Sequence, residues 1–443
     1  MHLSRYLKIY PSNEKPGYFL LFSTLRSSTA LVSGATLSTA LTGSKMGIEG
    51  ETLRKLGMLV EHPSIEREQV RTLIERANAQ NRKYRAVVVL NLACNLDCSY
   101  CYEGGFRNEQ YMSRDTAQLL VETLKRDQIA LGLDVNLVFY GGEALLSEDL
   151  IRFISAPLQE AAEAQGVTYN FDLVTNGTLL NRATVERLLP FGLKGAKFTL
   201  DGPREIHDRQ RPFASGAGSF DCIVDNLREV YDHIQVMLGG NCREENYREF
   251  PRLLDYLLEI GIRPEKLLRV LFTPVTPKAG CTEHGSECAS SSEPWLIEAL
   301  PFLREETLAR GFAAPKLKVS ACMLEFDHNV VVNYDGALYK CPAFMGYDGF
   351  SVGTLAEGLS DFKESHGIGN WQNEECLDCP YLPICFGGCR FLNLLKDRPA
   401  SALDCRREFY DGALERMILM SIPHPPCKQA PPPMITHAVD YCI

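Results

Sequence analysis

The chain has 443 residues, 45% of them hydrophobic, with 46 Lys+Arg against 56 Asp+Glu and a formal net charge of −10. This apolar content excludes a wholly disordered chain, the length suggests roughly two to four domains, and the acidic balance argues against a nucleic-acid partner, which would meet a basic face. The apolar stretch 18–22 is too short for a signal-peptide core, and no run approaches the ~20 apolar residues of a membrane span, so a cytoplasmic protein without a membrane partner is expected.

The predicted elements begin with strands at 6–10, 18–23 and 29–33, separated by Pro11, Asn13, Pro16 and Gly17. Leu53, Leu56, Met58 and Leu59 form a loosely apolar helical face, and 65–79 continues helical. Residues 1–82 are therefore expected to form a small α+β module of winged-helix-like order, serving either in peptide recognition or as a cap on the next domain.

From Ala86 strand and helix alternate. Strands are predicted at 86–91, 136–140, 171–175, 197–200, 235–238 and 268–272. Between them, Ser113 caps a helix bearing Ala117, Leu120, Val121 and Leu124, a second helix runs over 150–165, and Asn181 caps a third with Val185, Leu188 and Leu189 facing inward. Further helices carry Ile223, Leu227 and Tyr231, then Leu253, Leu254, Leu257 and Leu258. Such alternation means a parallel sheet, because parallel neighbours need long crossovers. Six units fit a partial (β/α)6 barrel over 83–280, with functional groups where strands end. A turn-rich linker follows; 281–315 holds it and a helix, 316–422 is cysteine-rich and ends in a helix over 404–420, and 423–443 is a Pro-rich tail left without structure.

Sixteen cysteines without an export signal point to metal ligands more than to disulfides. Cys94-x3-Cys98-x2-Cys101 follows the first barrel strand. Three thiolates on one loop can each hold one iron of a [4Fe–4S] cubane, leaving the fourth iron open; the alternative is zinc with a fourth ligand from elsewhere. A second constellation is Cys322-x13-Gly336-x4-Cys341, then Cys376-x2-Cys379-x5-Cys385-x3-Cys389, and Cys405 after fifteen more residues. Its alternative is a two-zinc structural domain. Cys222 and Cys242 are expected as small core residues, while Cys281, Cys288, Cys427 and Cys442 fit no ligand spacing.

Cys94-Asn-Leu-Asp-Cys98-Ser-Tyr100-Cys101 resembles the defining loop of radical S-adenosylmethionine (SAM) enzymes, in which SAM chelates the open iron. Neighbouring segments resemble that family at matching strand ends. Gly141-Gly142-Glu143 is similar to the glycine-rich segment that meets the methionine amino group, which Glu143 would pair with. Thr175-Asn176-Gly177 is similar to the segment near the SAM ribose. Thr199-Leu200-Asp201-Gly202-Pro203 with His207, Asp208 and Arg211 resembles the subgroup of peptide maturases and anaerobic sulfatase maturases; there Asp201 suits hydroxyl binding and Arg211 a carboxylate, with His207 structural. The second constellation resembles the SPASM extension. The resemblance implies that Cys376, Cys379, Cys385 and Cys405 hold an outer auxiliary [4Fe–4S] cluster and that Cys322, Cys341 and Cys389 hold an inner one, with His328, a carboxylate or a substrate thiol as its fourth ligand. Sulfatase maturases place an aspartate, the proposed proton acceptor, directly after the cysteine of the Gly-x4 step; this chain has Pro342 there.

Taken together, the sequence resembles a radical SAM/SPASM maturase of ribosomally made peptides (RiPPs), of the geopeptide type in its short N-terminal module. What this implies is hydrogen abstraction by a 5′-deoxyadenosyl radical, crosslink formation in a precursor peptide, and a flavodoxin or ferredoxin as electron donor. A sulfatase-maturase-like side-chain oxidase and a zinc-bound interaction protein are the alternatives.

Overall fold

The computed structural model of the chain describes residues 1–44, 46–105, 108–275, 293–422 and 436–437. Most of the expected linker, with Cys281 and Cys288, and most of the tail from Pro423, with Cys427 and Cys442, lie outside the described residues; within the tail, expected without structure, Thr436–His437 forms a two-residue strand parallel to Ser320–Ala321.

After the two-residue β1 (His2–Leu3), strands β2 (Leu7–Pro11), β3 (Tyr18–Ser23) and β4 (Ser28–Ser33) form an antiparallel meander in that order. Helices α1 (Gly34–Leu41) and α2 (Ile48–Lys55) follow, then β5 (Leu59–Val60), which returns to pair with β1, and helices α3 (Pro63–Arg71) and α4 (Leu73–Gln80). The three strands match the sequence reading; Leu59 does not lie on a helix. Gly57 at φ +71° ends the turn after α2, and Leu59 is then buried opposite Leu3. Helix α1 was not anticipated, because GATLSTAL has little apolar periodicity; the Ser33 hydroxyl starts it by accepting the Thr36 N–H at 3.1 Å.

The alternation beyond Gln80 folds as read. Strands β6 (Lys83–Val89), β7 (Asp134–Tyr140), β8 (Tyr169–Val174), β9 (Leu193–Thr199), β10 (Gln235–Cys242) and β11 (Leu267–Pro274) lie side by side in chain order, all parallel. The crossovers hold α5 (Arg114–Leu124), α6 (Glu148–Gln165), α7 (Arg182–Leu188), α8 (Arg204–Gln210), α9 (Phe220–Val230) and α10 (Phe250–Glu259), with α11 (Pro294–Ala309) after the last strand. Ser113 and Asn181 cap α5 and α7 as expected, accepting from Thr116 N–H and Thr184 N–H, each at 3.0 Å. Val185 and Leu188 are buried, but Leu189 is 42% exposed: α7 stops at Leu188 and a short turn rotates the next side chain outward. Cys242 is buried as expected, and Cys222 is only partly so.

After β12 (Ser320–Ala321), the cysteine-rich region adds to the sheet. Strand β13 (Asn329–Val332) pairs in parallel with β6 on the side away from β7, and β14 (Ala337–Tyr339), β15 (Gly353–Thr354) and β16 (Gly358–Leu359) extend it antiparallel. Turns and irregular chain join four further helices: α12 (Glu374–Leu377), α13 (Leu382–Cys385), α14 (Arg390–Leu394) and α15 (Arg407–Leu419).

Two compact units result, each discontinuous in sequence: Asn81–Pro315 with Asp327–Phe362, and Met1–Gln80 with Lys316–Phe326 and Lys363–Ile443. The segment expected as one cysteine-rich domain is shared between them. The first unit has one core between sheet and helices, including Val88, Phe139, Phe171, Phe198, Leu227 and Leu254. In the second, Leu20 and Phe22 of β3 pack with Tyr381, Ile384, Tyr410 and Leu414, while Tyr6, Val70 and Ile74 pack with Trp371, Leu377 and Phe386. The N-terminal strands thus share their core with the C-terminal helices. Among the described residues no helix is long and apolar enough to cross a membrane.

Candidate functional site

The loop after β6 carries Cys94, Cys98 and Cys101, and neighbouring loops hold its backbone. Asp97 N–H donates to Pro212 O at 2.8 Å, Ser99 N–H to Gln210 O at 3.0 Å, and Ala214 N–H to Asn95 O at 2.9 Å. The Cys94 sulfur accepts the Leu96 N–H at 3.4 Å and lies 3.7 Å from Asn176 Nδ2. Burial, then the charges of Glu103 and Cys98, pushes the Cys101 thiol up to about 11.

Gly141 and Gly142 are needed for close approach to this loop. A Cβ at Gly141, where φ is +145°, would meet Asn91 O at 2.3 Å, and one at Gly142 would meet Ala93 O at 2.2 Å. In their place Gly142 N–H and Glu143 N–H donate to those same two carbonyls, at 3.1 and 2.8 Å. Glu143 is fully buried. Its carboxylate accepts Leu145 N–H at 3.0 Å, Thr175 Oγ1–H at 2.8 Å and Asn176 N–H at 2.7 Å. Burial raises its pKa above the ordinary value, and these donors offset part of that rise. Glu143 is thus a strut between two strand ends, with three of about four acceptor positions used before any ammonium arrives.

Thr175 and Asn176 are tied into the same assembly. Asn176 Nδ2 donates to Asn95 Oδ1 at 2.8 Å, Asn95 Nδ2 to Thr178 Oγ1 at 2.8 Å, and the Thr178 hydroxyl to Asn176 Oδ1 at 2.7 Å, closing a ring of three side chains. Thr199 is the last residue of β9, and Asp201 just beyond it is fully buried. Asp201 accepts the Tyr100 hydroxyl on one oxygen and Asn241 N–H, at 2.7 Å, on the other. Arg211 Nη1 donates to the Tyr100 oxygen at 2.7 Å and lies 4.0 Å from Asp201. Burial opposes the Arg211 charge, but Tyr100, Cys98 and Asp201 hold the guanidinium ionised. His207 is structural: its Nδ1 accepts Asp201 N–H at 3.2 Å, leaving the Nε2 proton to face Ser219 Oγ at 3.0 Å. Burial, then Arg211, keeps its pKa well below the ordinary 6.5.

Two site residues escaped the sequence reading. Asn95 sits inside the cysteine motif, where only the thiols drew notice. Asn241 lies at the end of β10, which runs on to Cys242 through Gly239 and Gly240; that pair masked the strand, and Gly240 is required because a Cβ there would meet Leu200 O at 2.3 Å.

In the other unit, Cys376 lies on α12, Cys379 just after it, Cys385 at the end of α13 and Cys405 before α15. Burial, then the nearby Cys385, Cys379 and Cys405, pushes the Cys376 thiol up to about 11. Arg407 donates to the Cys379 sulfur, and the N–H groups of Arg406 and Gly387 donate to Cys385. The turn holding Cys385 and Cys389 needs Gly388, at φ +74°, where a Cβ would meet Asp404 O at 2.0 Å. Cys322 and Cys389 are electrostatic neighbours. Cys341 belongs to the barrel unit, directly before a short turn beginning with Pro342. The carboxylate of Glu325 is engaged by Arg390 and the Gly369 N–H. Among the described residues no three Cys, His, Asp or Glu side chains converge on a point as a single ion requires; a cubane sets its thiolates on separate irons and requires no such convergence.

A parallel half-barrel with a three-cysteine loop at its first strand end defines a class, and the comparisons name it. Residues 88–274, the barrel segment with its three-cysteine loop, match the Radical SAM superfamily. In sequence the chain is similar to anaerobic sulfatase-maturating enzymes, and in fold to those enzymes and to SuiB. It is 23% identical to the serine-type anaerobic sulfatase-maturating enzyme of Klebsiella aerogenes, over 67% of this chain and 77% of that protein. With the cysteine-type enzyme of Clostridium perfringens the identity is 22%, over 73% and 94%. Fe-coproporphyrin III synthase of Methanosarcina barkeri is 30% identical, but over only 42% of this chain and 43% of that protein, so the chain matches less than half of that relative's length. Among solved structures, anSMEcpe with bound AdoMet aligns with a TM-score of 0.62 at 18% identity, covering 76% of this chain and 98% of that one. Streptococcus suis SuiB, also solved with the precursor peptide SuiA, aligns at 0.51 with 91% of this chain, 98% of its own and 15% identity. At these identities the likeness is one of fold.

Proposed function

We propose that this enzyme modifies a ribosomally synthesised precursor peptide, forming a thioether or carbon–carbon crosslink. The observation that carries this reading is Pro342 directly after Cys341, where a sulfatase-maturase-like oxidase would need a proton acceptor that proline cannot provide. Alignment with SuiB over 91% of the chain supports it; the match to the coproporphyrin enzyme is too short to carry a substrate over. Cys94, Cys98 and Cys101 would hold a [4Fe–4S] cluster with SAM on its open iron, and Cys376, Cys379, Cys385 and Cys405, all in one unit, would hold an auxiliary cluster. When bound, cluster and SAM supply the abstraction of an unactivated hydrogen. The chain's part is to fix the cysteine loop through Asn95 and Asn176, to seat SAM near Thr199 and Arg211, and to keep the site dry.

The N-terminal sheet would recruit the peptide by strand addition at its edge strand β4. Removing residues 1–82 is no test of this, since it strips Tyr6, Leu20, Phe22, Val70 and Ile74 from shared cores. The half-exposed Leu31 on β4 is the better target: Leu31→Glu should weaken peptide binding while SAM cleavage survives. For the reaction itself, co-expression with a short peptide encoded beside the gene and mass spectrometry should show a loss of two hydrogens per crosslink. A peptide of unchanged mass, together with an oxidised serine or cysteine in a neighbouring sulfatase, would transfer the assignment to the side-chain oxidase.

A further inference from the structure

The Tyr100 hydroxyl has one proton to give and two lone pairs to fill, and all three positions are used. It donates to Asp201, and it accepts Arg211 Nη1 at 2.7 Å and Asn241 Nδ2 at 2.9 Å. Asn241 also reaches Asp201 twice, through its backbone N–H at 2.7 Å and its side-chain amide at 3.2 Å. Arg211 is 8% exposed and spends Nη1 on this cluster, while its Nε, equally buried, has no hydrogen-bond partner among the described residues. A buried guanidinium N–H left unpaired is costly. One edge of the guanidinium is anchored and the other is left as a donor, the fork geometry that takes a carboxylate.

We infer that Asn241 is a positioning residue for cofactor recognition: by completing the Tyr100–Asp201 anchor it fixes Arg211 with its free edge toward the SAM carboxylate. This rests on the radical SAM reading. Asn241 need touch neither cluster nor SAM. Its side-chain amide is separable from the fold, because its backbone N–H continues to hold Asp201 whatever the side chain.

The test is a double-mutant cycle on anaerobically reconstituted protein, reading SAM affinity by equilibrium binding and the change in the reduced cluster's EPR signal on adding SAM. Asn241→Leu should keep its iron and bind SAM about tenfold more weakly, the scale of one hydrogen bond in a charged network. In a Tyr100→Phe background, where the hydroxyl is already gone, the same change should add little. Asn241→Ser, which is smaller and strains nothing, should resemble Asn241→Leu. Unchanged affinity in both Asn241 variants, or effects that simply add to that of Tyr100→Phe, would overturn the assignment. Failure of the underlying reading looks different: wild-type protein would then carry no iron at Cys94, Cys98 and Cys101 and bind no SAM.

Discussion

Glu143 accepts the backbone N–H of Asn176 at 2.7 Å, so the loop after the second barrel strand is bolted to the loop after the third. With the donors from Leu145 and Thr175, the carboxylate satisfies three groups that no water reaches. Glu143→Leu conserves volume but leaves all three unpaired, at about 1–3 kcal/mol each. The expected result is a lower thermal transition and weaker SAM binding, since Asn176 also positions Asn95 and Cys94. A melting curve unchanged from wild type would show the strut to be dispensable.

Gly142 gives a sharper test of the same contact. A Cβ there would sit 2.2 Å from Ala93 O, against backbone that cannot swing aside as a side chain can. Gly142→Ala should therefore displace the cysteine loop and lower iron by about four of twelve atoms per chain if three clusters are present. Iron and sulfide analysis after reconstitution measures it; full occupancy would mean that the loop has room the geometry does not show.

Much of this was legible in the sequence, and the gaps have physical causes. The six barrel strands could be read because each is a short apolar run between helices of clear period, as with Ala117, Leu120, Val121 and Leu124 on α5. Strand β13 could not: Val330–Val332 is too short to carry a period, and only pairing with β6 across more than 200 residues makes it a strand. The cysteine spacings marked the candidate metal-binding positions, but the contacts of the flanking groups emerged only in three dimensions. Glu143, read as a partner for an ammonium, already holds the Thr175 hydroxyl and two backbone N–H groups, and Asp201, read as suiting a hydroxyl, already holds Tyr100 and Asn241. Sequence identifies which groups carry charge, and only packing decides which of them are already used.

The four thiols at Cys376, Cys379, Cys385 and Cys405 offer an independent count. Replacing all four by alanine should remove about a third of the iron while the Cys94 loop, in the other unit, still binds SAM. Arg407 and the N–H groups of Arg406 and Gly387 already point at these sulfurs, so loss of zinc in place of iron would identify this as a structural zinc site.

His207 should impose a pH dependence on barrel stability. Its neutral ring bridges Asp201 N–H and Ser219, and burial, then Arg211, holds its folded pKa well below the ordinary 6.5. As pH falls below about 6.5 the unfolded chain takes up a proton that the folded ring refuses, so this contribution is present above that value and is lost toward the folded pKa. Comparing melting temperatures of wild type and His207→Gln across pH 5–8 should show a slope at the acid end that the variant lacks. Parallel curves would place the dependence elsewhere.

Arg390 and Glu325 are an ion pair with both side chains out of solvent. Arg390 Nη1 also donates to the carbonyls of Phe386, at 3.0 Å, and Gly388, at 2.8 Å, so it holds the turn between Cys385 and Cys389. Burial pushes the Glu325 carboxyl up, and Arg390 opposes that rise. Arg390→Met removes the opposition and strands a buried carboxylate, a loss of about 3–5 kcal/mol. Because the folded pKa of Glu325 then rises further above its unfolded value, the variant should be most stable in acid and lose stability as pH increases through that pKa. Adding Glu325→Leu removes the stranded charge and should recover most of the melting temperature and flatten the pH profile. It should not restore the turn, so iron content stays reduced in the double variant. Recovery of iron along with stability would mean that the pair serves packing alone and has no part in presenting Cys385 and Cys389.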